Sequence, residues 1–356
     1  MSKFLSKRHS SLDAYVPGEQ PADMEYIKLN TNESPYPPPK SVINSVTPDE
    51  IEKLRLYPNP DGTNLIKKIA ANYDVSPENV IIGNGSDELL AFAFLAFCDD
   101  ERGVAFPDIT YGFYPVYAEL YGITYEQIPL KDDFSIDIND YIDTGKNIVL
   151  ANPNAPTGIA LTLPEIEMIA QSNPEYIVLI DEAYVDFGAE SAIPLTKKYD
   201  NLIVLHTYSK SRSMAGARMA YAISSAPLTE DMNKMKYSFN PYNVNRLTQI
   251  MSEAAMGEEE YFTKKRKEII DTRQYTSDRL KDFGFIMTDS KANFIFAKHQ
   301  KLSGLDLYTR LKERGVLVRQ WSKPKISDYI RVTIGTREQM DAFLSAIEEI
   351  LERENT

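Results

Sequence analysis

The chain has 356 residues, 43% of them hydrophobic and 26% charged, with a formal net charge of -13. That length exceeds one ordinary hydrophobic core, so a large domain and a smaller one are expected. The acidic balance disfavours nucleic acid, the lone Cys98 points to a reducing compartment, and no apolar run approaches the roughly 20 residues of a membrane helix.

Residues 1–10 carry some positive charge, but no apolar stretch or small-residue cleavage site follows them, so a cytoplasmic location is expected. Residues 1–30 read as an arm without strong periodicity, available to join the smaller domain. Pro37-Pro38-Pro39 rules out a helix interior or a central strand there. From about residue 65 strand and helix signals alternate. Val80-Ile81-Ile82 predicts a buried strand, and Leu89 to Phe97 a helix. Val104-Ala105-Phe106 predicts the next strand, followed by a tyrosine-rich helix from about Tyr111 to Tyr121. Asn147–Ala151, Tyr176–Ile180 and Leu202–Leu205 complete the set. Short continuous apolar runs between helices predict a mostly parallel sheet covered on both faces, so the fold class is α/β. This large domain is placed at 31–245.

The character changes after about residue 242. Leu247 to Leu280 is helical with a break near Gly257. Strands are predicted at Asn293–Ala297, Val316–Val318 and Tyr329–Ile334, with helices near 304–314 and 337–353. Residues 246–356 therefore read as a smaller α+β domain.

Ligands of open parallel sheets bind just past the carboxyl ends of the strands. The polar groups delivered there include Gly83-Asn84-Gly85-Ser86-Asp87 after the first strand and Tyr111 after the second. Asn152 to Gly158, Asp181-Glu182-Ala183-Tyr184 and His206-Thr207-Tyr208-Ser209-Lys210 follow the next three. Their convergence on one crevice is the strongest signal in the residues themselves. The turn at Gly83–Ser86 opens a helix and suits a phosphate, although a capped helix with an acidic first turn explains it equally well. As a dinucleotide fingerprint it is weak, because Glu88 stands where the third glycine belongs.

Asp181, placed behind Val178-Leu179-Ile180, needs a partner for a part-buried carboxylate. A protonated pyridine nitrogen is one; an arginine or a capped segment is another. Tyr184 can bond a cofactor hydroxyl or simply pack. Lys210 after a buried strand suits a desolvated amine nucleophile, while most lysines are solvated surface charge. Arg218 offers a fork for phosphate oxygens, with Ser209 as a second contact. Tyr111 can stack on a flat ring or serve the core, as befits a chain with 22 tyrosines. His9, His206 and His299 show no ligand-like spacing, so no metal is expected.

Together these residues resemble the fold-type I pyridoxal-phosphate aminotransferases, and within them the histidinol-phosphate branch. The resemblance runs through Leu29 to Pro35, Tyr57-Pro58-Asn59-Pro60, Gly83 to Leu89, Thr110-Tyr111-Gly112, Pro156-Thr157-Gly158 and Asp181 to Tyr184. It continues through Ser209-Lys210, Ala215 to Arg218, Asn240 to Asn245 and Arg331 to Thr336. Asp-x-x-Tyr, then Ser-Lys with an arginine eight residues on, is its most specific part.

The resemblance implies pyridoxal 5'-phosphate on Lys210, which would also carry the proton between substrate carbon and cofactor carbon. Asp181 would hold the pyridine nitrogen, Tyr184 the ring hydroxyl and Tyr111 the ring face. Gly85, Ser86 and Asp87, with Thr207, Ser209 and Arg218, would bind the cofactor phosphate. Tyr57 would reach into the site of a second subunit, which implies a homodimer. Arg331, with Arg319, Tyr15 and Asn32, would hold a small anionic amino substrate and, in turn, a 2-oxo acid.

One departure stands out: the family places Asn directly before Pro-Thr-Gly, and this chain has Ala155. Asn154 is adjacent but its side chain is expected to point elsewhere, so either Tyr184 bonds the cofactor hydroxyl alone or a rearranged loop lets Asn154 serve. The implied reaction is amino transfer between histidinol phosphate and 2-oxoglutarate, in histidine biosynthesis. Alternatives are a threonine-phosphate decarboxylase or an aminotransferase for another small anionic or aromatic amino acid. A nicotinamide-dependent dehydrogenase would leave Lys210 and Asp181 unexplained. A non-catalytic regulator on the same fold would need an attached DNA-binding module.

Overall fold

The computed structural model describes residues 2–10 and 12–353. Its thirteen strands are β1 (Ile27–Lys28), β2 (Val80–Gly83), β3 (Val104–Pro107), β4 (Tyr125–Ile128), β5 (Asn147–Ala151), β6 (Val178–Asp181) and β7 (Leu202–Thr207), then β8 (Ala220–Ser224), β9 (Phe285–Met287), β10 (Phe294–His299), β11 (Val316–Leu317), β12 (Arg319–Gln320) and β13 (Tyr329–Thr333).

A seven-stranded sheet in the order β2-β8-β7-β6-β5-β3-β4 forms the centre. All neighbours along β7-β6-β5-β3-β4 pair parallel, and only β8 runs against its neighbours, β2 and β7. The apolar runs have no polar face because both faces of the sheet are covered. In β6 and β7, Val178, Ile180, Leu202 and Val204 pack into one core, while Leu179, Ile203 and Leu205 pack into the other. Each such side chain contributes roughly 1.5–3 kcal/mol by leaving water, so a register slip of one residue is heavily disfavoured. Asp181 consequently sits level with Ala151 on one side and Leu205 on the other.

A four-stranded antiparallel sheet, β12-β13-β10-β9, lies under the helices Gly304–Glu313 and Arg337–Glu352. The second helix starts at a reciprocal cap between Thr336 and Gln339. The arm joins this smaller layer: β1 pairs parallel with β11, and Leu29 is buried in the same core.

The cover of the large sheet extends past residue 246. The helix Arg246–Ala255 packs on the helices Lys40–Asn44 and Thr63–Tyr73, and Ala255 and Phe262 are part of the large core. The long helix Glu259–Asp282 then crosses over, delivering Ile269 and Leu280 to the core of the smaller layer. The break between the two helices falls at Met256–Glu258, around Gly257.

Candidate active site

The ends of β2, β3, β5, β6 and β7 open on one cavity of about 330 Å³. Ser86 and Asp87 line it from the first, Tyr111 from the second, Ala151 and Ala155 from the third. Asp181, Ala183 and Tyr184 follow β6, and Thr207, Ser209 and Lys210 follow β7. Arg218 lines it from the turn before β8, and Thr31 and Glu33 from the arm.

Asp181 is the most telling of these groups. It is 5% exposed and held by two neutral donors, the Tyr114 hydroxyl to Oδ2 (3.1 Å) and the Ala183 N–H to Oδ1 (3.2 Å). Burial pushes its carboxyl up to about 6, and these two hydrogen bonds oppose the rise. A carboxylate so placed has room for a cationic donor on its open side. Across the cavity the Lys210 ammonium donates to the Thr31 carbonyl (3.2 Å) and lies 5.7 Å from the centre of the Tyr184 ring.

A second group of residues forms an anion cradle. Gly85 has φ +82°, and a Cβ there would lie 2.3 Å from Arg218 Nη2, so the glycine lets the guanidinium come down onto the turn. Arg218, itself at φ +54°, reaches Ser209 Oγ (3.4 Å) with Nη1 and Asp87 Oδ2 (3.0 Å) with Nη2. Thr207 Oγ1 donates to Ser209 Oγ at 3.0 Å. The helix Ser86–Phe97 begins here, and its first amides have no carbonyl one turn earlier to bind. Tyr111 donates to Asp87 Oδ1 (2.7 Å), and burial, then the Asp87 charge, holds its hydroxyl far above the usual phenol range. Tyr111 is thus a fixed neutral ring at the cavity wall.

Behind Tyr111 lies a cationic corner. Arg319 and Arg331 are direct cross-strand partners of β12 and β13, and like charges in that position repel unless an anion joins them. Arg331 sits between the rings of Phe294 (5.3 Å) and Trp321 (5.5 Å) and donates Nη2 to the Asn30 carbonyl (3.0 Å). Its Nε is out of water with no hydrogen-bond partner. Burial pulls its guanidinium below the ordinary value, opposed by Tyr184 and Tyr15. Tyr15 stacks on Phe113 at 4.2 Å and approaches Tyr111 at 6.1 Å, while Arg319 holds the Val16 and Pro17 carbonyls at 3.3 and 3.4 Å.

The family described as Aminotransferase class I and II matches residues 24–347. The chain belongs to the class I and II aminotransferases. A histidinol-phosphate aminotransferase of Brachyspira hyodysenteriae is 50% identical over 352 residues, 99% of each chain. Among solved structures, the histidinol-phosphate aminotransferase of Clostridium acetobutylicum superposes with a TM-score of 0.85 at 22% identity, covering 92% of this chain and 99% of that one. The enzyme of Sinorhizobium meliloti, solved in complex with pyridoxal-5'-phosphate, gives 0.84 at 22%, covering 92% and 91%. These two likenesses establish the α/β fold with its smaller antiparallel layer.

In this aminotransferase Asn154 does not line the cavity. Its side-chain amide donates to the Ile109 carbonyl (2.9 Å) and Thr157 Oγ1 (3.1 Å), and its oxygen accepts from Thr110 (2.8 Å), so the loop uses it internally. Ala155 faces the cavity in its place. Asn32 is also outside the lining; at φ +57° it donates to the Tyr184 hydroxyl (2.9 Å) and is bridged to Thr333. Tyr57 is 77% exposed, stacked on Tyr242 at 4.5 Å, and does not reach the cavity of its own chain. Sequence reasoning passed over Tyr114, and gave no role to Thr31 or Glu33. Glu33 lines the cavity and pairs with Lys28 at 2.7 Å. The run Leu29 to Pro35, which carries part of the family resemblance, is the signal that this stretch reaches the site.

Proposed function

We propose that this aminotransferase uses pyridoxal 5'-phosphate on Lys210 to exchange an amino group between histidinol phosphate and 2-oxoglutarate. The observation that carries the reading is one cavity holding a buried, cation-seeking Asp181, an anion cradle under Arg218, and a lysine. The residues fit the cofactor: Gly85 leaves the space into which Arg218 folds, and Asp181 keeps an open side. When bound, the cofactor supplies an electron sink that acidifies the substrate's reacting C–H.

The chain's own groups then have distinct tasks. Asp181 would hold the pyridine nitrogen, Tyr111 the ring face, and Tyr184, aligned by Asn32, the ring hydroxyl. With Ala155 in the loop and Asn154 engaged elsewhere, Tyr184 would carry that last bond without help from the loop. The amides of Ser86 and Asp87, with Thr207, Ser209 and Arg218, would take the phosphate. Lys210 would move the proton at Nζ between the two carbons. Arg331, with Arg319 and Tyr15, would bind the phosphate end of one substrate and the carboxylate beside the reacting carbon of the other. Its buried, unpartnered Nε is a donor awaiting an acceptor.

The substrate is supported by the name of the relative sharing half of its residues with this chain. A homodimer is supported by exposed apolar side chains beside Tyr57, namely Ile51, Leu54 and Leu56, with Phe239 and Tyr242. No helix among the described residues is long and apolar enough to cross a membrane, and a cytoplasmic place accords with that.

Incubation with histidinol phosphate and 2-oxoglutarate is expected to yield glutamate. Arg331→Gln should raise the KM for histidinol phosphate by roughly 10–100-fold, the worth of a charge-assisted pair, while leaving bound cofactor in place. No glutamate, with carbon dioxide released from threonine phosphate instead, would overturn the substrate assignment.

A further inference from the structure

Tyr114 is fully buried in the helix Phe113–Tyr121, behind the wall of the cavity rather than in it. Its hydroxyl donates to Asp181 Oδ2 at 3.1 Å, and its ring meets Tyr111 edge-on at 5.7 Å and 84°. One turn later Tyr117 donates to the Asp87 carbonyl at 2.9 Å. The helix after β3 therefore grips, from outside, the residues proposed for the pyridine nitrogen, the ring face and the phosphate turn. Both oxygens of Asp181 are engaged: the Ala183 N–H donates to Oδ1 and Tyr114 to Oδ2. Each oxygen still has a lone pair for one more donor.

We propose that Tyr114 is a positioning residue of the reaction, which by donating to Asp181 Oδ2 orients that carboxylate toward the cofactor's pyridine nitrogen and keeps it a weak enough base to leave the shared proton there. The inference rests on the reading of Asp181 given above. Burial and the adjacent Asp181 charge hold the Tyr114 hydroxyl well above the phenol range, so it acts only as a donor. Without it, Asp181 becomes a stronger base and draws the shared proton toward itself. With the cofactor bound, its ring would then lose positive charge, and the nitrogen contributed by Lys210 would keep its proton to higher pH. A buried tyrosine whose hydroxyl merely needs a partner would have no such effect.

The test is a pH titration of the near-visible absorption band of the purified holoenzyme, wild type against Tyr114→Phe, which retains the ring. The midpoint should rise by about one pH unit, in line with loss of one hydrogen bond to a charged group. The kcat should fall about tenfold, with the KM for histidinol phosphate within about twofold, since the residue acts through Asp181 and not on substrate. A midpoint equal to wild type, accompanied only by a lower melting temperature, overturns the proposal. Should Tyr114→Phe fail to fold, 3-fluorotyrosine at position 114, a stronger donor, is expected to lower the midpoint; no change or a rise overturns it. Asp181→Asn separates the two layers of the argument. If that variant shifts the band while Tyr114→Phe does not, only Tyr114's role is refuted. If Asp181→Asn leaves the band unchanged, the cofactor reading of Asp181 falls, and this inference with it.

Discussion

Asn32 joins three parts of the chain through one left-handed residue. At φ +57° and 1% exposure, its N–H donates to Thr333 Oγ1 (2.9 Å), its carbonyl accepts from Asn293 (3.0 Å), and its side chain links Thr333 and Tyr184 (3.1 and 2.9 Å). Asn32→Ala removes two side-chain hydrogen bonds, worth roughly 0.5–1.5 kcal/mol each. It also places an ordinary Cβ residue in the left-handed region, at about 1 kcal/mol or more. The sum is a loss of roughly 2–4 kcal/mol. Asn32→Gly loses the same bonds but adopts the backbone without strain; after its greater unfolded-state freedom is counted, it should be less damaging than alanine by about 0.5–1 kcal/mol. Urea denaturation of the cofactor-free protein measures both. In turnover the two variants should be similarly slowed, because both leave the Tyr184 hydroxyl without its donor. A glycine variant less stable than the alanine one would refute the backbone argument, and wild-type turnover in both would refute the link to Tyr184.

Other consequences follow from the same geometry. Because Asp181 rises from an ordinary 3.8 to about 6 on burial, the folded cofactor-free protein binds this proton more tightly than the unfolded chain. Its contribution is fully present below about pH 4 and is lost as pH rises through about 6, on the order of 3 kcal/mol. The difference in unfolding free energy between wild type and Asp181→Asn should fall over that window, and a flat difference would contradict the burial argument. Gly85→Ala forces a side chain to φ +82° and against Arg218. The affinity for pyridoxal phosphate should drop by roughly 10–100-fold, as expected for 1–3 kcal/mol of strain and lost contact, in a fluorescence titration of the cofactor-free protein; wild-type affinity would show that the cradle is elsewhere. Lys210→Ala and Tyr57→Ala chains, each impaired alone, should recover some activity when mixed if Tyr57 serves the other subunit's site, and a Tyr57→Ala enzyme with wild-type activity by itself would place Tyr57 outside catalysis.

Much of this was legible in the residues. Val178-Leu179-Ile180 and Leu202 to Leu205 announce buried strands because every position is apolar, and each delivers its chemistry immediately after the run. β8, Ala220–Ser224, was not legible: two alanines and a serine carry little strand preference, and its place between β2 and β7 comes from tertiary packing alone. The pairing of β1 with β11 joins two-residue segments nearly the whole chain apart, for which no local pattern exists. In the site, Lys210 and Asp181 stood out because charge behind a buried strand is unusual, and Arg218 by its place eight residues after Lys210. Tyr114 did not, because one tyrosine among 22 has no distinguishing signal until its hydroxyl is seen on Asp181. Asn154 could serve only through a rearranged loop, since neighbouring side chains in an extended loop point apart; with Ala155 facing the cavity, Asn154 is turned away and bonds the Ile109 carbonyl instead.

The most direct test of the central claim is the visible absorption spectrum of the purified protein, recorded before and after adding histidinol phosphate. The account predicts a yellow band from cofactor bound at Lys210, absent in Lys210→Ala, which histidinol phosphate converts to the spectrum of the amine form. A protein that shows no band with excess pyridoxal phosphate, and whose Lys210→Ala variant is indistinguishable from it, would contradict the account at its root.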